Sequence, residues 1–384
     1  IFTIIGKDNP LNKSIYQIKD SNSNYIITDK KLEEDLISAV SEVINYDEAI
    51  KYNKKQEQLQ NMNLEDIACI CYTSGTTGDS KGIPIIYGAI TNASISHSKI
   101  RSWEYNKQLT SAVSAKETFI VFLYTLLTYI YMGSTIYITN NEETTNYSSF
   151  LDFLIKNKID DTFFPPTMVD YYLNNVNNPF LKNIFTGGDK VKLTKLNDSV
   201  NVSVIYGLTE TFAGSTSYKI DSLDKSLCIG KPFLNTQLFV LDNEYNQCDN
   251  NQIGQIALSG IQNSNFYINN DEETKKHFID NPYSSKYTIY NSYYDKLFLT
   301  GDYGYIGDDG NLYFASRKDN QVQIRGKRVE INEITTVLDQ IKEVSKSYVL
   351  AKQDNDDETY LTCFYVSDTL SESELRDILN DELV

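Results

Sequence analysis

Cysteine, tryptophan, histidine and net positive charge are all in short supply: the 384 residues hold 5 Cys, 1 Trp and 2 His, and 35 Lys plus Arg stand against 52 Asp plus Glu. The cysteines, at positions 69, 71, 228, 248 and 363, are odd in number and widely scattered, which suits a reducing compartment better than a disulfide framework. They form no zinc spacing either. Cys69 and Cys71 alternate with Ile70 in an apolar run, where small thiols pack as core residues. A net charge of −17 lacks the basic excess of a nucleic-acid surface, although it leaves room for a small local cationic site. Long hydrophobic runs are missing: Phe119 to Met132 carries several Tyr and Thr and is too short to span a bilayer. The opening Ile1 to Gly6 lacks the charged start and small-residue cleavage site of a signal peptide. The expectation is a cytoplasmic protein with neither nucleic acid nor membrane among its partners. The chain also opens without Met, in the middle of a strand-like segment, as a fragment or processed product would.

What is present argues for a folded enzyme-sized chain. Hydrophobic residues make up 41%, including 29 Tyr and 17 Phe, so the acidity serves solubility and does not mark a disordered tail. The length allows two or three domains at about 100 to 200 residues each. Up to Asp160, apolar runs alternate with amphipathic ones: Tyr25 to Thr28 reads as a strand, Lys30 to Val43 as a helix, Ile67 to Tyr72 as a buried strand, Tyr87 to His97 as a helix and Gly133 to Ile138 as a strand. That alternation predicts α/β layers. From about Gly230 short β-like segments follow, at Gln237 to Leu241, Gly254 to Leu258, Leu297 to Thr300 and Leu312 to Ala315, predicting a β-rich subdomain. Beyond residue 318 come a strand at Gln321 to Ile324, a helix from Ile331, strands near Ser347 to Leu350 and Tyr360 to Tyr365, and a last helix from Ser371. Residues 319–384 thus read as a small βαββα unit able to move separately from residues 1–318.

The sharpest local signal is Tyr72-Thr73-Ser74-Gly75-Thr76-Thr77-Gly78-Asp79-Ser80-Lys81-Gly82, directly after a buried strand. Glycines permit close backbone approach, and amides, hydroxyls and one Lys make an anion cradle suited to phosphate. The nucleotide loop G-x-x-x-x-G-K-[ST] is excluded, because Ser80 and Gly82 break it.

This segment resembles the phosphate loop of the acyl-adenylating superfamily, which contains acyl-CoA synthetases, luciferases and the adenylation domains of nonribosomal peptide synthetases. Further motifs stand in the family's order: Tyr206-Gly207-Leu208-Thr209-Glu210, Thr300-Gly301-Asp302, and the hinge run Ser316-Arg317-Lys318-Asp319-Asn320 continuing to Glu330. Gly187-Gly188-Asp189 is similar to a Gly-Gly-Glu element, with Asp in place of Glu. The resemblance implies a large layered α/β/α adenylate-forming domain with a β-rich subdomain (residues 1–318) and a small mobile α+β domain (residues 319–384), rotating at Asp319. It implies ATP and Mg²⁺, with Thr73, Ser74, Gly75, Thr76, Thr77, Gly78 and Lys81 around the phosphates, Tyr206 and Gly207 at adenine, and Gly187 nearby. Thr209 would touch the α-phosphate, Glu210 would hold Mg²⁺ through a hard oxygen, and Asp302 with Arg317 would take the ribose hydroxyls. Lys81, Thr209 and Glu210 are the expected catalytic residues, and Gly326 would belong to a small-domain loop that enters the site in a second state.

The acyl pocket departs from the amino-acid-activating relatives. Their Phe-Asp-x-Ser-x-x-Glu segment corresponds to the stretch Ser111 to Phe119, with Ala112 where an Asp would pair the substrate's α-ammonium. A buried ammonium without that partner costs several kcal/mol, so the expected substrate is an acid without an α-amine: a keto, hydroxy, aryl or short acyl acid. The other pocket positions are Val113, Lys116, Phe163, Phe185, Gly187, Ile205, Ala213 and Gly214. Lys116 either meets an anionic or carbonyl group or extends to solvent. The start of the chain resembles an internal family segment, and its end the helix before the family's last motif, whose Lys bridges carboxylate and α-phosphate. Adenylation followed by transfer to a carrier-protein phosphopantetheine, or to CoA, is the leading reading. The alternatives are an acyl-CoA synthetase, an amino-acid-activating domain with an atypical pocket, and a non-catalytic nucleotide-binding scaffold domain of a multienzyme.

Overall fold

A computed structural model describes residues 1–7, 9–51, 62–73, 80–102, 108–139, 146–225, 227–284, 291–317, 321–324, 327–353 and 359–382. Among these, the dominant feature is a twelve-stranded mixed sheet. One half is parallel: Thr135–Ile138 at the edge, then Thr110–Val113, Asp161–Phe163, Asn183–Thr186 and Asn201–Tyr206. Helices Tyr147–Lys156 and Pro166–Asn175 link successive parallel strands, as parallel pairing requires. Each has a clear start signal. Asn146 caps the first by accepting from the Ser148 amide at 2.9 Å, and Pro166 opens the second.

The other half is antiparallel, running through Thr216–Lys219, Cys228–Pro232, Leu312–Arg317, Lys296–Ile306, Gly254–Gly260 and Thr236–Leu241. The β-rich region expected after Gly230 is therefore present, but it continues the same sheet. The change of direction falls at the hairpin between Asn201–Tyr206 and Thr216–Lys219.

The strand Ile67–Thr73 pairs antiparallel with Lys81–Ile86, and Thr73 faces Lys81 at the end where the chain passes from the first strand to the second. The residues flanking the expected phosphate segment thus sit on paired antiparallel strands and not on the strand and helix of the excluded motif. Immediately after the second strand, helix Tyr87–Ile100 packs on the largely apolar helix Ile120–Tyr131, which is followed by Gly133 at positive φ. One hydrophobic cluster joins these parts: Cys69, Ile83, Ile85, Ala89, Ala93 and Tyr124 pack with Phe185, Ile205, Phe212, Phe233, Tyr267 and Phe298. A second lies on the opposite face of the parallel strands, under the helices 147–156 and 166–175.

One expected element is corrected. The helix over Lys30 to Val43 is confined to Glu34–Ser38, because Glu42–Asn45 pairs in parallel with Tyr25–Thr28 and Val43 lies beside Ile26. Leu32, Leu36 and Val40 do have helical spacing, but the β-branched Val43-Ile44 pair suits a strand. The last segment contains one strand more than expected: Gln321–Ile324 forms a hairpin with Lys327–Glu330. Helix Ile331–Gln340, the pair Lys346–Gln353 and Thr359–Val366, and helix Glu372–Glu382 follow, around their own core of Ile331, Leu338, Val349 and Leu375. Among the described residues no helix is long and apolar enough to cross a membrane.

Candidate active site

Four predicted positions, Val113, Phe163, Gly187 and Tyr206, lie at or just past the carboxyl ends of parallel strands. That edge is where open α/β sheets bind ligands, since the loops leaving it diverge around a crevice. At Gly187 an added Cβ would fall 2.1 Å from the Ile205 carbonyl oxygen, so glycine is required for the neighbouring chains to approach. Gly207 is similarly confined, 2.5 Å from the Ala213 backbone.

The turn from Tyr206 to Ser215 folds back tightly. Thr209–Thr211 form a single 3-10 turn, and Phe212 and Ala213 adopt positive φ of 48° and 60°. Non-glycine residues adopt this conformation at a cost, so the surroundings must hold it. Gln262 does so, with Nε2 donating to the Gly214 carbonyl at 2.6 Å and the Thr211 carbonyl at 3.1 Å. Asn92 Nδ2 donates in turn to Gln262 Oε1 at 2.7 Å, and the Ser264 amide donates to the Glu210 carbonyl at 2.9 Å.

Three of the positions proposed for the nucleotide are brought together. Asp302 and Arg317 are direct neighbours across an antiparallel pair, and Arg317 Nη1 lies 2.9 Å from Asp302 Oδ1. The Tyr206 hydroxyl donates to Asp302 Oδ2 at 2.8 Å across a sequence gap of 96 residues. Burial first, then the Asp302 charge, holds the Tyr206 phenol well above its ordinary pKa and keeps it a donor. Both oxygens of a carboxylate only 4% exposed are thereby oriented.

Glu210 is 2% exposed, and its Oε1 accepts from the Tyr267 hydroxyl at 2.8 Å. Lys81 is buried as well, and its ammonium is already matched: Nζ lies 2.6 Å from Glu273 Oε2, with both side chains 7% exposed. It also stands 5.5 Å from the centre of the Tyr267 ring. Ser74, Gly75, Thr76, Thr77, Gly78, Asp319 and Gly326 lie outside the described residues. Asp189, in the Gly-Gly-Asp element, is exposed.

The acyl positions are brought together only in part. Phe163, Phe185, Ile205 and Ala213 share one cluster; Gly187 abuts Ile205, and Gly214 abuts Phe233 and Tyr124. Ala112 does not join them. Successive strand residues point to opposite faces, and Ala112 is fully buried in the second cluster with Phe150, Leu154 and Phe164. Its expected place as the missing pocket anion is therefore corrected. Val113 packs with Leu109, Tyr129 and Met132 in a smaller cluster, and Lys116 sits half-buried before helix Ile120–Tyr131, its carbonyl accepting from the Phe119 amide at 2.9 Å.

Sequence reasoning missed Tyr267, Glu273 and Gln262. Glu273 lies in the run Asp271-Glu272-Glu273 at a helix start, which reads as a solvated first turn. No local signal distinguishes the buried acid from its exposed neighbours.

The family profile described as "AMP-binding enzyme" matches residues 2–268, and the chain belongs to that family of adenylate-forming ligases. Among curated relatives, bacitracin synthase 1 of Bacillus licheniformis is 29% identical over 94% of this chain, which spans only 7% of that protein's length. Tyrocidine synthase 1 of Brevibacillus parabrevis is 26% identical over 97% of the chain, which spans 34% of its length. In fold, the chain is similar to the o-succinylbenzoate CoA synthetase MenE of Bacillus subtilis, solved with a product analogue, at a TM-score of 0.83, 20% identity and coverage of 99% and 76% of the two chains. MenE in complex with ATP and magnesium ion superposes with a TM-score of 0.71 at 21% identity, over 100% and 78%.

Proposed function

We propose that the protein adenylates a carboxylic acid: a carboxylate oxygen bonds to the α-phosphorus of ATP, the bond to the bridging oxygen breaks, and pyrophosphate leaves with the electron pair. A thiolate then attacks the acyl carbon and AMP departs. The observation that carries this reading is the Tyr206–Asp302–Arg317 constellation, centred on the buried Asp302 carboxylate, beside the Glu210 turn. Its elements are separated in sequence, yet they converge on one edge of the sheet.

The chemistry asks for alignment and charge neutralisation more than for a protein nucleophile. Asp302 and Arg317 hold the ribose, Tyr206 and Gly207 border the base, and Thr209 with the run Thr73 to Gly78, closed by Lys81, holds the phosphates through the run's own amides and hydroxyls. Glu210 suits Mg²⁺, a hard cation that takes one or two carboxylates together with substrate phosphates. When bound, Mg²⁺ supplies neutralisation of the phosphate oxygens. The relative MenE, solved with both ATP and magnesium ion, supports this pairing.

The substrate is an acid without an α-amine. Phe163, Phe185, Ile205, Ala213 and Gly214 offer no negative charge to an ammonium. The acceptor is a carrier-protein phosphopantetheine thiol, a reading supported by the 29% identity to bacitracin synthase 1. Residues 319–384 act as the mobile domain, turning at Asp319. The place of action is the cytoplasm.

The test is pyrophosphate exchange across a panel of acids. A deaminated or hydroxy acid should give the highest rate, and Asp302→Ala should lower it by about 100-fold, in line with removal of a group that aligns the bound nucleotide. A preference for ordinary α-amino acids would overturn the substrate reading, and undiminished exchange in Asp302→Ala would overturn the site.

A further inference from the structure

We infer that Glu273 and Tyr267 are positioning residues for adenylation, and that Lys81 works as a buried strut and not as a direct phosphate ligand; this rests on the adenylation reading above. Lys81 opens the second strand of the hairpin, opposite Thr73, and so fixes one end of the phosphate segment. Its partner comes from 192 positions away in sequence, on the short helix Asp271–His277. The ion pair thus ties the hairpin to a distant part of the chain that also carries Tyr267.

The carboxylate of Glu273 is occupied on both oxygens. Oε2 faces Lys81 at 2.6 Å, and Oε1 faces Lys276 at 2.8 Å. Burial pushes its pKa up, but the hydrogen bonds from Lys276 and Lys81 outweigh that and hold it at about 2. Asn270 sets the helix by accepting from the Glu273 amide at 3.1 Å, and Glu273 Oε2 stands 3.7 Å from Nε2 of His277. His277 Nδ1 lies 3.3 Å from the Leu299 carbonyl, on the strand that carries Asp302. With its charge compensated at such short range, Lys81 adds little net field at a phosphate. Its buried position is that of an anchor.

Tyr267 extends the same structure to Glu210. Its ring borders Lys81 and meets His277 edge-on at 6.0 Å between centroids, while its hydroxyl fixes Oε1 of Glu210 at 2.8 Å. One short segment, residues 267–277, therefore positions both the exit of the phosphate segment and the proposed metal carboxylate.

The test compares the wild type with Glu273→Gln, Tyr267→Phe and the exchanged pair Lys81→Glu/Glu273→Lys, in the full chain. Glu273→Gln should raise the KM for ATP by about 10- to 100-fold, the usual effect of displacing a positioned group, with the KM for the acid unchanged. Tyr267→Phe should raise the Mg²⁺ concentration for half-maximal exchange several-fold. The exchanged pair, in which Lys276 can turn to Glu272, should recover ATP affinity to within a few-fold of the wild type. An unchanged KM for ATP in Glu273→Gln overturns the inference. So does an exchanged pair that folds, by its circular dichroism, yet does not bind ATP, since Lys81 then acts on the phosphate itself. If the exchanged pair does not fold, the Glu273→Gln and Tyr267→Phe results decide alone. If the wild type exchanges pyrophosphate with no acid, the function reading fails, and equilibrium binding of ATP to Glu273→Gln judges the strut separately.

Discussion

Two buried ionic clusters stand close to the site, and they differ in what surrounds them. The first joins Lys81, Glu273, Tyr267 and Glu210, and it reaches solvent through Lys276, which is 55% exposed. The second is sealed. Arg101, which ends helix Tyr87–Ile100, pairs with Asp161 at the start of a central strand, and the Tyr129 hydroxyl donates to the same carboxylate at 2.8 Å. His97, one turn before Arg101, lies 2.9 Å from the Tyr124 hydroxyl and 4.0 Å from the Phe185 ring centroid. Both clusters bury charge, but the first joins Lys81, which follows the proposed phosphate segment, to Glu210, the proposed metal carboxylate. Burial of a charge pair is thus weak evidence for function; which loops it joins is better evidence.

The sharpest way to break this contrast is Arg101→Met. It leaves Asp161, fully buried, without its cation, and should cost about 3–5 kcal/mol in urea unfolding. The KM for ATP in the molecules that remain folded should stay at the wild-type value. A large rise in that KM with little loss of stability would mean that the sealed cluster also serves the site.

A smaller effect is expected from His97, whose pKa burial, aided by Arg101, lowers to about 3. The folded protein then refuses a proton that the unfolded chain accepts below about pH 6.5. The unfolded state binds more protons there, so stability is complete above that pH and falls as pH drops towards 3. Between pH 7.5 and 5 the wild type should lose about 2 kcal/mol more than His97→Phe. Equal pH slopes in the two proteins would show that the imidazole titrates normally. Smallest of all, Tyr124→Phe removes one buried hydrogen bond and should cost about 1 kcal/mol in the same unfolding assay. A loss several times greater would place Tyr124 at the centre of the sealed cluster and not at its margin.

Legibility in the sequence followed the range of the interactions. Strands such as Ile67–Thr73 and helices such as Ile331–Gln340 were readable because periodicity and apolar runs are local. Tyr206, Thr209, Glu210, Asp302 and Arg317 could be singled out as candidates because each belongs to a short motif, and of these the structure brings Tyr206, Asp302 and Arg317 into contact. Ala112 was misplaced because its assignment depended on register, and one step along a strand moves a side chain to the other face. The short helix at Glu34–Ser38 shows the same limit, since helical spacing in Leu32, Leu36 and Val40 competes with the pairing of Val43 against Ile26.

By itself, the sequence determined the order of the motifs, the kind of chemistry their residues carry and the alternation that makes a layered α/β fold. Those properties reside in contiguous residues and survive without knowledge of contacts. Only the tertiary structure decided that the β-rich region continues the main sheet, that Tyr206 and Arg317 share Asp302, and that Glu273 answers Lys81. An ion pair between residues 192 positions apart has no local signature; it exists only when packing brings two charges out of water to the same place.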